Sequence, residues 1–371
     1  MPRPASILVA ITLFLLAVGI VMVGSASRVK GASGGYEDAY YFLKRQILWL
    51  AVAALAGLAA SRLDYHLLQT RAVFTVLLSS AILLLTLVLI PGIGSKIGGS
   101  RRWLRFGVLS LQPSEAAKYA IVIALAVQMT KAKLRAGHFK EGFLYPILPL
   151  GLVTGLIFLE SDYGTAFLVA LAGMTVMFVG GTRLMYLVLS GTLGGCAFIL
   201  AVMQNSVRMG RILAFLFPQR YPDVAYHLQR SKYAFIMGHM TGLGLNRSVE
   251  KHYYLPEAHT DFIFAILGEE LGVLGTLAVT LAYLGILWCG LRISARAPDP
   301  FGRLLAVGLA VLISLQALIN IAVVTGCLPT KGLALPFISY GGSSLIMSVA
   351  GIGLLVNIAR QAPRRRRRRG P

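Results

Sequence analysis

The chain has 371 residues, 57% hydrophobic and only 13% charged, with a mean hydropathy of +0.74. Soluble domains are nearer half apolar and a quarter charged, so this composition excludes an ordinary soluble enzyme. The polar remainder is basic, 35 Lys and Arg against 14 Asp and Glu for a formal charge of +21. A nucleic-acid-binding domain of that charge is not buried in apolar runs, so anionic membrane lipids are the expected partner and nucleic acid is not.

A helix that crosses a bilayer needs roughly 20 mostly apolar residues. Stretches of that kind recur at 5–24, 46–60, 72–90, 114–130, 143–159, 165–180, 184–203, 262–290, 303–326 and 333–358. This predicts an all-α integral membrane protein of about ten spans forming one polytopic domain over 1–371. The first stretch lacks a small-residue cleavage site and reads as a retained helix. Cys196, Cys289 and Cys327 lie in or beside apolar stretches without metal or disulfide spacing, and read as packing residues. Six consecutive arginines, Arg364 to Arg369, mark 360–371 as a basic cytoplasmic tail. Ten spans then place the N-terminus in the cytoplasm and 204–261 outside, as one large extracytoplasmic loop. The loops assigned to the outside are basic too, which suggests an anionic species held there.

Charges at or inside spans are costly and are functional candidates by default. Glu115 and Lys118, at i and i+3, share one helix face and serve either as a self-neutralising pair or in function. Glu160 and Asp162 lie in a tight turn, either solvated or binding a metal ion. Asp261 follows Tyr253-Tyr254-Leu255-Pro256-Glu257-Ala258-His259-Thr260. It reads either as a helix N-cap, with Thr260 the other candidate, or as a carboxylate made basic by its setting at the membrane rim. Glu269 and Glu270 fall about 12 Å further along a helix and point elsewhere, toward neighbouring spans or into a relay. Lys331 lies in an interrupted stretch, Pro329 to Ser344, where irregular backbone must be buried or line a cavity. It reads as a phosphate-binding cation or as a snorkelling lysine.

Familiar soluble motifs fail. Gly31-Ala32-Ser33-Gly34-Gly35 fits G-x-S-x-G without the strand–turn–helix context. Gly92-Ile93-Gly94 lacks the rest of a dinucleotide or phosphate loop, and His252 and His259 are wrongly spaced for zinc on one helix.

Four separated segments, in order, resemble the SEDS family (shape, elongation, division and sporulation). They are Gly99 to Leu104 with Gln112-Pro113-Ser114-Glu115 and Lys118; Leu255 to Phe262 with Gly268-Glu269-Glu270-Leu271-Gly272; Leu328 to Gly332; and Pro336 to Ser344. Pro329-Thr330-Lys331-Gly332-Leu333 and Glu257 to Asp261 favour the cell-division branch and its sporulation relative over the elongation branch. Two departures stand out. His227 and Arg230 occupy positions where the family commonly has glutamine, before the matching Ser231, and Asn246 replaces a glycine.

The resemblance implies a peptidoglycan glycosyltransferase that polymerises lipid II at the outer face of the bacterial cytoplasmic (inner) membrane, at the division site. It also implies a class B penicillin-binding protein as partner, alongside other divisome membrane proteins. Asp261 is then the catalytic base or the residue that orients the acceptor. Lys331 and some of Arg102, Arg208 and Arg211 hold the diphosphate, and Trp103, Glu257, His259 and Ser231 are further substrate contacts. Glu115, Lys118, Glu269 and Glu270 are structural or relay residues. A divalent cation, Mg or Mn, bound with help from Asp261, Glu160 or Asp162, is a possible addition. The competing readings are a lipid II flippase, whose path Glu115, Lys118, Glu269 and Glu270 would line, and a scaffold without chemistry.

Overall fold

A computed structural model describes residues 3–33, 38, 40–97, 100–106, 109–132, 135–253 and 259–362. Thirteen α-helices are present among them: α1 (Arg3–Ser33), α2 (Tyr41–Arg62), α3 (Arg71–Leu89), α4 (Pro113–Ala132), α5 (Tyr145–Leu159), α6 (Tyr163–Val179), α7 (Leu184–Met203), α8 (Ser206–Leu216), α9 (Pro222–Gly238), α10 (Glu250–Tyr253), α11 (Ile263–Ser294), α12 (Pro300–Val324) and α13 (Gly342–Gln361). Eight helical segments are long and apolar enough to cross a membrane. The two other predicted stretches correspond to α4, which carries Glu115, Lys118 and Lys131, and to the 17-residue α6.

Helix starts follow local chemistry. Asp162 caps α6 by accepting from Thr165 N–H at 3.1 Å, and Asp299 caps α12 from Gly302 N–H at 2.9 Å with Pro300 in the first turn. At the centre stand α4, packed on α3, α5, α6, α12 and α13, and α12, packed on α4, α6, α11 and α13. From Pro113 to Val127 every α4 residue but Ala116 is buried. That includes Lys118, which donates to Glu115 Oε1 at 2.8 Å and to Gln316 Oε1 of α12 at 2.7 Å. The i, i+3 pair thus neutralises itself while pinning the two central helices. By contrast α7 touches only α6 and α8 substantially and leaves most of its surface bare.

The turns around 61–71 and 291–302 meet at one end of the bundle. There the Tyr65 hydroxyl donates to Asp299, and Asn357 of α13 donates to the Ala60 carbonyl at 3.0 Å. Residues 363–371 of the tail, with its six arginines, the N-terminal Met1-Pro2 and Glu257 lie outside the described residues.

Segment 204–261, expected as one large extracytoplasmic loop, carries helices of its own, since Asn205 caps α8 and Pro222 opens α9, and α9 packs on α11. Three expectations need correction. Segment 91–113 holds a three-stranded antiparallel sheet, β1 (Gly94–Ile97), β2 (Ser100–Phe106) and β3 (Leu109–Leu111), in an otherwise helical chain. The last helix starts at Gly342 rather than 333, since the Pro336 region folds as irregular backbone. The eighth predicted span is broken at Gly272, with φ 66° and ψ −166°.

Removing one partner of the central pair strands a buried charge. Lys118→Met is expected to cost about 3–5 kcal/mol, and Glu115→Gln combined with Lys118→Met to recover much of it. Thermal unfolding of the purified variants in detergent checks both.

Candidate active site

At the end of the bundle away from Tyr65, the segment between α12 and α13 turns inward instead of continuing a helix. Leu333, Leu335, Phe337 and Ile338 are buried. Side chains from surrounding elements take up its carbonyls. Gln316 donates to Ala334 O at 2.8 Å, Asn320 to Leu333 O at 2.6 Å, and Tyr283 to Pro336 O. Asn320 also donates to the Asp261 carbonyl at 2.9 Å, the Ser339 hydroxyl to Thr260 O at 2.6 Å, and Tyr340 N–H to His259 O at 3.0 Å. One scaffold therefore fixes both the Lys331 segment and the Asp261 turn. Their closest approach is at Gly332, where an added Cβ would lie 2.6 Å from Asp261 Oδ2. Any side chain at 332 would displace the carboxylate.

Asp261 is not a helix cap. α11 begins at Ile263 behind Phe262, which makes no side-chain cap, and Thr260 and Asp261 are spent on the turn. His259 is buried with its ring 4.8 Å from Phe42 and 5.9 Å from Tyr340, which places it in the packing behind the turn.

Gly332, Lys331 and Thr330 line a cavity of about 200 Å³ together with Arg102, Asp162, Tyr163, Phe198, Arg208 and Arg211. The four cations named for a diphosphate thus converge, against the single lining carboxylate of Asp162. Arg102 reaches Asp162 Oδ2 at 3.3 Å and is steadied by Ser100 Oγ at 2.7 Å. Arg208 lies over the Tyr163 ring at 3.3 Å and donates to Ser161 O at 3.0 Å, while its Nη1 is buried with no hydrogen-bond partner among the described residues. The Lys331 ammonium lies 5.2 Å from the Phe167 ring centroid and 5.5 Å from that of Phe198. Burial lowers the pKa of Lys331, opposed by Asp162. Burial, then Arg211 and Arg102, lower Arg208 to about 10, again opposed by Asp162. Crowded, partly desolvated cations of this kind favour an anion among them.

Phe167 and Phe198 also line an apolar groove of about 770 Å³ between α5, α6 and α7, floored by glycines on α5 and α7. The shared Phe198 joins the groove to the cationic cavity.

Several predicted contacts lie elsewhere. Ser231 is fully buried and donates to Val324 O at 2.6 Å, tying α9 to α12 rather than facing the cavity. Trp103, one residue along the extended β2 from Arg102, does not line the cavity. Glu269 and Glu270 bond to residues 248–251 and to Ser25, and with Glu115 and Lys118 they form separate closed networks, not a continuous polar path. Among the described residues no three His, Cys, Asp or Glu side chains converge to hold a metal ion, so Asp261, Glu160 and Asp162 do not form such a set. Gln316, Asn320 and the ring floor of Phe167 and Phe198 escaped sequence reasoning. The amides had a signal, since they are polar residues four apart in an apolar span.

Glu160 has both carboxyl oxygens buried without a hydrogen-bond partner among the described residues. Burial first, and Asp162 second, raise its pKa to about 9, against Arg102. With a folded pKa above the unfolded one, its contribution to stability is intact below about pH 4.5 and is lost as pH rises toward 9. Glu160→Gln is therefore expected to melt higher than the parent, by a margin that widens from pH 5 to pH 9 in parallel melting curves.

The family described as "Cell cycle protein", FTSW_RODA_SPOVE, matches residues 6–364. A relative from Trichlorobacter lovleyi, named probable peptidoglycan glycosyltransferase FtsW, is 42% identical over 95% of this chain and 92% of its own. Stage V sporulation protein E of Bacillus subtilis is 38% identical over 96% and 97%. Among solved structures, a chain from work on structural coordination of polymerization and crosslinking by a peptidoglycan synthase complex superposes with TM-score 0.77 at 29% identity, covering 95% of this chain and 96% of its own. The rod shape determining protein RodA of Thermus thermophilus superposes with TM-score 0.71 at 26% identity, covering 96% and 97%.

Proposed function

The chain belongs to the FtsW/RodA/SpoVE family of cell cycle proteins, and from that membership we propose that this multi-pass membrane protein is a peptidoglycan glycosyltransferase. It polymerises lipid II into glycan strands at the outer face of the bacterial cytoplasmic membrane during septal wall synthesis. The observation that carries this reading is a cavity lined by Arg102, Arg208, Arg211, Lys331 and Gly332 that shares Phe198 with an apolar groove, with the Asp261 carboxylate packed behind Gly332.

The reaction joins the acceptor sugar's 4-hydroxyl oxygen to the donor's anomeric carbon. The bond from that carbon to the diphosphate oxygen breaks, and undecaprenyl diphosphate leaves with the electron pair. Asp261 takes the hydroxyl proton. The four cations stabilise negative charge growing on the leaving diphosphate, and Arg208 Nη1, with no hydrogen-bond partner among the described residues, supplies a donor for it. The groove between α5, α6 and α7 receives the polyprenyl chain, and Phe167 and Phe198 pass it to the charged cavity. The lining does not fit a divalent cation, since its one carboxylate, Asp162, stands among four cations and already pairs with Arg102.

The relative that matches a peptidoglycan synthase complex supports a crosslinking partner, a class B penicillin-binding protein, with other divisome membrane proteins at the division site. A flippase would need a polar path through the bilayer, and the closed Glu115–Lys118–Gln316 and Glu270–Lys251–Ser25 networks argue against one.

Polymerisation of lipid II by the purified protein with its partner tests the reading. Asp261→Asn is expected to lower the rate by about 10²–10⁴-fold. Undiminished strands from a well-folded Asp261→Asn protein would remove it from the chemistry. Lys331→Ala is expected to lower kcat/KM for lipid II by about 10²-fold, and unchanged donor use would exclude a phosphate contact.

A further inference from the structure

The break at Gly272 detaches a half-helix, Ile263–Leu271, from the rest of α11. Ile263 to Glu270 are all buried, whereas beyond the break Val273 and Leu274 are exposed. A break leaves carbonyls unsatisfied on one side and N–H groups on the other. Here the loop after α9 enters the gap and satisfies both. Leu243 and Gly244 N–H donate to the carbonyls of Glu269 and Glu270 at 2.9 and 3.1 Å, and Val273 and Leu274 N–H donate to His239 and Met240 carbonyls at 3.0 and 3.3 Å. Gly242, at φ 81°, and Gly272 face each other so closely that a Cβ on either would enter the other segment's backbone.

The side chains at this end form a second fastening. The Glu269 carboxylate accepts from the Ser248 hydroxyl and from Val249 N–H at 2.7 Å. Glu270 pairs with Lys251 Nζ at 2.7 Å and accepts from Ser25 of α1 at 2.6 Å, and Lys251 Nζ also donates to Asn246 Oδ1 at 2.9 Å. Glu269 and Glu270 are fully buried. At the other end of the same half-helix stand Asp261 and its ties to Asn320, Ser339 and Tyr340 through 259–261. Nine helical residues span about 13 Å, a rigid length.

We infer that Ile263–Leu271 is a strut, and that Glu269 and Glu270 are positioning residues for Asp261, fixing where its carboxylate stands against Gly332. This rests on Asp261 acting in the reaction proposed above. A general base acts in the transition state, so loosening its support lowers turnover more than substrate binding. Two readouts on the full chain with its partner test the strut. In lipid II polymerisation, Glu270→Gln lowers kcat at least tenfold with KM within twofold, and the exchange Glu270→Lys with Lys251→Glu recovers at least half of that loss. In a background without the exposed Cys196 and Cys327, the Asp261→Cys variant reacts with a water-soluble maleimide at a rate that Glu270→Gln changes at least threefold.

A wild-type kcat in a folded Glu270→Gln protein, or an unchanged labelling rate, overturns the inference. If Glu270→Gln does not fold, Ser25→Ala takes its place, with a smaller loss of the same kind expected and a wild-type kcat again overturning the inference. If Asp261→Asn remains active, the catalytic reading fails by itself, and the labelling rate still decides whether the strut positions residue 261.

Discussion

Backbone that leaves a helix inside a bilayer-spanning bundle must have its polar groups satisfied by the protein. The stretch from Pro329 to Gly341 is such backbone, and the surrounding architecture answers to it. Gln316 and Asn320 of α12, Tyr283 of α11, Ser339 and Gln46 each bond to it or to its neighbour at 259–261. Because the Asn320 amide and the Ser339 hydroxyl also bond the Asp261 turn, satisfying this backbone helps to assemble the site. The two amides that interrupt the otherwise apolar α12, Gln316 and Asn320, have this duty.

The electrostatics run in the same direction. Four cations in one small cavity repel one another, and their charge is tolerated because Asp162 pairs with Arg102 and aromatic faces receive Arg208 and Lys331. Burial and the neighbouring Asp162 favour the neutral form of Glu160, which limits how far it cancels the field the cavity presents. The strong positive charge of the whole chain has a local expression here, where an anion would be met by donors already in place.

Much of this was legible beforehand, for physical reasons that differ by element. Long apolar runs announce spans because twenty apolar residues have few other fates, and all ten predicted stretches contain helix. The Glu115–Lys118 pair was legible because i, i+3 geometry is local. The convergence of Arg102, Arg208, Arg211 and Lys331 was named from resemblance, and no spacing along the chain could have shown it, since three separate elements, β2, α8 and the stretch before α13, bring them together. The small sheet was missed because Gly94 to Leu111 reads as a polar loop with few β-branched residues. The break at Gly272 was missed because its flanks keep an apolar helical pattern, and only the inserted loop makes the interruption necessary. Ser231 was named from resemblance alone, which does not show that its side chain faces inward to α12.

The bond from Ser25 to Glu270 joins residues 245 positions apart, and the cavity draws on β2, the α5–α6 turn, α8 and the stretch before α13. A chain emerging from the ribosome and threading into the membrane therefore holds only fragments of the site until its last helices arrive. For most of its synthesis the nascent protein is chemically silent. Activity switches on as a single late step, when the final hairpin enters the bilayer and closes over the turn made long before.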